Sequence, residues 1–379
     1  MPTRSSRLRH RQILHNLFSL PTAPFAEHYV IDHVERFCAE RRNVTVKQDA
    51  VGNMLVRVRK GQRRVRRPVC ITAHLDHPGF VAKRRISRRR VLAHWRGGVP
   101  PEYFVGSRVR FFVGGTWVRG QVRSIKTVSR LGRKRVDTAV IEVPGDVPPG
   151  SIGMWDLPKA VVRGTRIHAC ACDDLAGAAA MLSAIDELSR GRESCDGYFL
   201  FTRAEEVGFA GAIAAARAGT IPSKCFVVAM ETSTELPQAK MGDGPILRVG
   251  DRATTFTHEA TAHCYQVARE LAKANRAFCY QRKLMDGGTC ESSAYCTLGY
   301  EATGLCVALG NYHNVDTRRK KIAPEYIDLN DFNNTVKWFV ALARALRPYT
   351  GRDDTMRSQL RDVERLYKGL LRLSCKHPR

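Results

Sequence analysis

Apolar residues recur every three to four positions over 9–19 and again over 26–42, the spacing of two amphipathic helices, with a Pro-containing break at Ser19–Pro24 between them. The period then drops to two. Val44 and Val46, then Met54–Val58 after a turn at Ala50–Asn53, predict two short strands. Residues 68–75 (PVCITAHL) are continuously apolar, as in a strand buried on both faces of a mixed sheet. From about 80 to 165 the chain alternates in short stretches (RVRFFVGG, TWVRGQVRSI, TAVIEV) separated by Gly and Pro turns, which predicts a small all-β unit. Beyond 173 helices are expected at 175–190, 208–218, 258–275, 291–298 and 325–346, with strands at 197–203, 224–230, 277–282 and 303–309. The alternation predicts an α/β fold, a three-layer α/β/α sandwich with a central mixed sheet and a small inserted all-β domain. The expected division is a main α/β domain over 1–80 and 166–350, a β-barrel-like insert over 81–165, and a basic C-terminal helix or tail over 351–379.

At 379 residues and 44% hydrophobic content the chain can bury a large core. No apolar run reaches the roughly 18–20 residues that cross a bilayer. The Arg-rich start MPTRSSRLRHRQILHNLFSL lacks acidic residues, as transit peptides do, but has no long apolar segment or small-residue cleavage site. Ile13, Leu14, Leu17 and Phe18 instead fall on one face of a first helix, and a cytoplasmic protein is expected. The twelve cysteines are scattered through apolar stretches, which predicts reduced, mostly buried thiols. The net charge of +26, with Arg-rich blocks at 56–67 and 83–90, would favour nucleic acid or another polyanion as a partner. The blocks lack interleaved aromatics and any nucleic-acid-binding signature, so a solvated, Arg-biased surface is the simpler reading.

Chemistry gathers where the expected strands end. Ala73-His74-Leu75-Asp76 closes the buried strand, placing His74 and Asp76 on one face, where a carboxylate can hold the second imidazole N–H of a metal-binding histidine. Cys172-Asp173-Asp174-Leu175 opens a helix; one Asp suits the cap, and the other is left free. Glu205-Glu206 follows the strand YFLFT, and two adjacent carboxylates repel unless cations intervene. Glu231 ends CFVVAM, with Glu235 as a competitor four residues on, and His313 follows GLCVALG. Hard carboxylates with one imidazole per ion suit zinc, manganese or cobalt, and two ions sharing a carboxylate hydrolyse peptide bonds without a protein nucleophile. His77, His94, His168, His258 and His263 read as surface or core residues, and Asp174 as the helix cap.

In this order the motifs resemble the co-catalytic metallo-aminopeptidases of family M42, the glutamyl and tetrahedral aminopeptidase group, within the clan that also holds the M28 and M20 peptidases. The likeness runs from about residue 14 to 345 through DAVGNMLVRV, HLDHPGF, CDDLAG, AEEVGFAGA and MGDGPILRVGD. It implies two divalent ions, zinc in the first instance, with Asp173 bridging them. His74 and Glu231 would complete one ion, and Glu206 and His313 the other. Glu205 would be the general base toward the metal-bridging water, and Asp76 would orient His74. The β insert would serve dimerisation within a homo-oligomer acting on peptides. The chain departs from the family at Glu231, where Asp is more usual, at His77, where Glu is common, and at Cys290-Glu291. Two alternatives stay open: a clan-related carboxypeptidase, deacylase or dipeptidase, and a polyanion-binding protein on a peptidase-like scaffold.

Overall fold

The computed structural model describes residues 4–61, 65–130 and 132–374; part of the first Arg-rich block, residues 62–64, and the last five residues of the tail lie outside them. Helices α1 (Arg4–Phe18) and α2 (His28–Ala39) precede strands β1 (Val44–Gln48), β2 (Met54–Lys60) and β3 (Val69–His74). Strands β4 (Gly79–Ser87), β5 (Arg90–Arg96), β6 (Arg108–Val113), β7 (Thr116–Arg130), β8 (Arg133–Glu142) and β9 (Ile152–Trp155) close into a barrel in the order β4-β5-β8-β7-β6-β9. Short strands β10 (Val161–Arg163) and β11 (Arg166–Ala169) lead back to α3 (Leu175–Arg190). Then come β12 (Cys195–Thr202), α4 (Ala210–Arg217), β13 (Phe226–Thr234), β14 (Ile246–Asp251), α5 (His258–Ala274), β15 (Gln281–Met285), α6 (Glu291–Thr297) and β16 (Ala302–Leu309). A small hairpin of β17 (Val315–Asp316) and β18 (Lys321–Ile322) precedes β19 (Glu325–Asp328), α7 (Leu329–Ala343) and α8 (Asp354–Ser374).

The main sheet has eight strands in the order β1-β2-β12-β3-β13-β16-β14-β15. Its central four, β12, β3, β13 and β16, run parallel, and antiparallel β2 and β14 flank them, so the sheet is mixed. Alternate residues of these strands feed two cores. Ile71, Phe199, Phe201, Val228 and Met230 pack with α1, α3, α5 and α7, whereas Cys70, Leu200, Val227 and Ala229 pack with α4 and α6. This is the three-layer arrangement expected, and every side chain of β3, β12 and β16 is buried, which explains their unbroken apolar runs. Ile13, Leu14, Leu17 and Phe18 face inward as the period predicted. The barrel is filled by Phe80, Trp95, Phe104 and Trp155, whose rings meet mostly edge-on at 4.6–6.1 Å between centroids.

Two expectations change, and one strand is added. Residues 325–328 are not the start of a helix but strand β19, paired antiparallel with β11; Asp328 then caps α7, accepting the N–H groups of Asn330 and Asp331 at 2.7 and 3.2 Å. The strand expected at 277–282 lies at Gln281–Met285, because pairing with β14 begins only at Gln281. β14 itself, within ILRVGD, is too short to announce a period and is defined by its neighbours β16 and β15. Eleven described cysteines are all unpaired thiols, nine of them buried. Among the described residues no helix is long and apolar enough to cross a membrane.

Candidate active site

The parallel order β12-β3-β13-β16 sets four strand ends side by side, where an α/β sheet gathers its ligands. His74 is the last residue of β3, Glu231 lies on β13, Glu205 and Glu206 start the turn after β12, and His313 sits in the turn after β16. Asp173 enters just before α3. Asp173 faces both histidines: its Oδ1 lies 3.5 Å from His74 Nε2 and its Oδ2 3.5 Å from His313 Nε2. Glu231 Oε2 is 3.8 Å from His74 Nε2, and Glu206 Oε2 is 3.1 Å from His313 Nε2. Glu205 Oε2 stands farther off, 3.9 Å from His74 Nε2. All the predicted site residues are therefore brought together. Glu235 is not: it is exposed and pairs with Lys240 at 3.3 Å.

Backbone held in sparsely populated conformations delivers these groups. Ala204 (φ 53°) and His313 (φ 53°) adopt left-handed conformations that side chains with a Cβ rarely take, a feature that clusters at functional sites. The buried carboxylate of Glu27 fixes the first turn by accepting the Ala204 N–H at 3.1 Å and pairing with Arg203. Asp76 does more than face His74, whose Nδ1 lies 3.5 Å from its Oδ1. The imidazole Nδ1–H of His74 donates to the main-chain carbonyl of Asp76 at 3.1 Å, while its carboxylate accepts the N–H groups of Glu205 and Glu206 at 3.0 and 3.1 Å. One residue thus orients a histidine and anchors both glutamates. Asp174 caps α3 as anticipated, accepting the Gly177 N–H at 3.2 Å, and a Cβ at Gly177 would stand 2.1 Å from its Oδ2.

The sequence reading missed the residues that hold the ligands from behind. Glu325 is fully buried and accepts the N–H groups of Cys172 and Asp173 at 2.8 and 3.0 Å. Its pairing partner in β11 is Ala169, so only the strand register carries it to the site. His77 is a core residue, and its Nδ1 bonds the carbonyl of Asp173 at 2.6 Å and its Nε2 the side chain of Asn314 at 2.9 Å. The barrel contributes the carbonyl of Gly98, which accepts the Nδ1–H of His313 at 2.9 Å. Arg248, buried on β14, donates to Ser233 and lines the same cavity of about 70 Å³ as Asp173, Glu205 and Glu231. Thr234 and Tyr312 also line a groove of about 910 Å³ bordered by Lys159, Arg163, Arg318 and Arg319.

Because Glu325 satisfies two buried N–H groups, Glu325→Ala should cost about 2–5 kcal/mol in denaturant unfolding. Glu325→Gln keeps an acceptor and should cost less. Equal losses for both would show that those bonds do not matter to stability.

Electrostatically the cluster calls for cations. Burial works against charge on His74, yet Asp173, Asp76 and Glu231 outweigh it and raise the imidazole well above its usual range. His313 is raised likewise, Glu206 and Asp173 overcoming its burial. Burial would raise Asp173, but the two histidines hold it well below ordinary carboxylates. Glu205, Glu206 and Glu231 are raised, chiefly by burial. Even so, Asp173 Oδ1, Glu206 Oε1 and Glu231 Oε1 are buried with no hydrogen-bond partner among the described residues. Buried polar atoms are seldom left in that state unless a ligand serves them. His74, Asp173 and Glu231 each offer an atom within 4.8 Å of the others, as do Asp173, Glu206 and His313. Donors about 2.0–2.2 Å from one tetrahedral ion stand roughly 3.3–3.6 Å apart, and Asp173 stands 3.5 Å from each histidine nitrogen, so these residues could hold a cation.

Comparison with known proteins agrees in fold. The M42 glutamyl aminopeptidase model matches residues 52–337. A curated protein of Acetivibrio thermocellus described as "Putative aminopeptidase" is 26% identical over 307 residues, covering 78% of this chain and 87% of that protein. An aminopeptidase from the archaeon Desulfurococcus kamchatkensis superposes with a TM-score of 0.73 at 22% identity, covering 90% of this chain and 96% of its own. The TET1 peptidase of Pyrococcus horikoshii, which assembles into a tetrahedron or a large octahedral shell, gives 0.71 at 20% identity over 88% and 99% of the two chains.

Proposed function

The chain belongs to the M42 glutamyl aminopeptidase family and is a peptidase hydrolase, and from that premise we propose that it removes N-terminal residues from peptides using two divalent metal ions, zinc in the first instance. The observation that carries the proposal is the shared carboxylate: Asp173 turns one oxygen toward each histidine, with Glu231 beside the first and Glu206 beside the second. His74, Asp173 and Glu231 would hold one ion, and Asp173, Glu206 and His313 the other. Bound there, such ions lower the pKa of water and polarise a carbonyl, which supplies the nucleophile and the electrophilic activation of peptide hydrolysis.

The protein's own groups do the remaining work. Glu205 is the general base, receiving a proton from the attacking water and passing it to the leaving amine. Its main-chain N–H is bonded to Asp76, so its backbone is fixed while its carboxylate stays farther from the histidines than those of Glu206 and Asp173. Asp76, Gly98, His77 and Glu325 keep the histidines and Asp173 in register through bonds that need no ion. The assemblies formed by related proteins support a homo-oligomer here too, and the barrel is the contact unit we propose for it.

The test is release from a mixed peptide pool by purified protein, before and after chelation and metal add-back. We expect N-terminal residues to be freed, the activity to vanish on chelation, and zinc, cobalt or manganese to restore it. Loss of C-terminal residues would instead place the chain among its carboxypeptidase relatives. Absence of cleavage with every metal would overturn the enzymatic proposal and leave the basic surface as the leading clue.

A further inference from the structure

Helix α8 presents an apolar face that nothing among the described residues covers. Met356, Leu360, Val363, Leu366, Tyr367, Leu370 and Leu371 are 47–67% exposed, and from Met356 onward every described side chain of the helix is exposed. Single exposed apolar residues are ordinary, but a contiguous stripe of seven marks an interaction surface. The base of the helix is tied to the body. Arg347 pairs with Glu270 and reaches Thr355, His258 lies 3.4 Å from Asp353, and Tyr349 donates to Glu301. The Asp353 carboxylate accepts the Met356 N–H at 3.0 Å. The helix therefore leaves the body as a fixed arm, and its stripe stays open.

We propose that α8 pairs in parallel with α8 of a second copy of this chain as a short coiled coil. Positions 356, 360, 363, 367, 370 and 374 alternate in steps of four and three, the a/d seam of a heptad. Leu366 and Leu371 then fall at g and e, which meet each other across the seam of a parallel pair and widen its apolar contact. The seven side chains offer roughly 400–800 Å² of apolar surface per helix, against about 800 Å² per partner in a standard-size interface. The regular four-three spacing of the apolar positions argues for a helical partner over an anionic lipid surface. Arg361, Arg365, Lys368 and Arg372 fall at b and f, away from the stripe, whereas Arg357 and Glu364 share the bordering e position.

Two measurements on the full chain decide it. In the Val363→Cys variant, air oxidation with a copper catalyst should link position 363 of one copy to position 363 of another, as peptide mass mapping reads. Leu360→Asp combined with Leu370→Asp should lower the sedimenting mass by roughly two-fold while peptide hydrolysis is unchanged, which separates the loss from unfolding. An unchanged mass together with no 363–363 link overturns the proposal. Pelleting with phosphatidylserine vesicles that the double variant abolishes, at an unchanged mass, overturns it in favour of a lipid surface.

Discussion

Glu205→Gln should lower kcat for peptide hydrolysis by about 10³-fold while the protein keeps its fold and its metal. The substitution is nearly isosteric. It preserves the main-chain N–H bond to Asp76 that holds the turn after β12, and it leaves Glu206 in place beside His313. What it removes is the basic oxygen. Without a carboxylate the attacking water must surrender its proton to bulk solvent, and the leaving amine must find one there. Glu206→Gln makes the contrast, because that carboxylate lies 3.1 Å from His313 Nε2 and would serve as a ligand. Its loss should reduce bound metal as well as rate. The measurement is kcat alongside metal content for both variants. A Glu205→Gln enzyme with near-normal kcat, or one emptied of metal, would remove the base from that position.

The legible part of this molecule is the part written in local pattern. Helix α3 was readable to the residue because Asp174 caps it and its apolar period is unbroken, and the buried runs of β3, β12 and β16 stood out as strands. The residues of the cluster were legible as well, since the two histidines and three glutamates end or follow apolar strand runs and Asp173 opens α3. What could not be read was the support behind them. Glu325 reaches Asp173 only through the register of β19 on β11, a pairing between segments more than 150 residues apart. His77 passed for an ordinary core histidine because its partners, the Asp173 carbonyl and Asn314, lie on other segments. Asp76 shows the same limit on a smaller scale. Its nearness to His74 was visible, but its grip on two glutamate N–H groups depends on the turn after β12 folding over it. Local pattern names donors; long-range pairing decides what holds them.

Stripping the metal should lower the melting temperature by roughly 5–15 °C, the effect expected when a ligand bound far above its dissociation constant is removed from a chain of this size. The physical cause is the charge left behind. Asp173, Glu206 and Glu231 crowd against one another with unpartnered buried oxygens, relieved by two imidazoles and, at Glu231, by Arg248. The loss should also depend on pH in a definite direction. In the metal-free protein Glu205, Glu206, Glu231, His74 and His313 all have folded-state pKa values raised above their usual ones, and Glu291, buried beneath the site, is pushed up to about 7. A raised folded pKa means that the native state holds protons the unfolded chain has released, so this contribution is present below the unfolded value and is lost as pH climbs through the folded one. Asp173, held low, changes its proton count only in stronger acid and does not alter the trend. The chelated protein should accordingly lose stability steadily from about pH 5 to pH 8, whereas bound cations would take the place of those protons and flatten the profile. Thermal unfolding of chelated and metal-restored protein across that range reads both effects. Parallel profiles, or a chelated form that grows more stable toward pH 8, would mean that the carboxylates are not gathered there to hold cations.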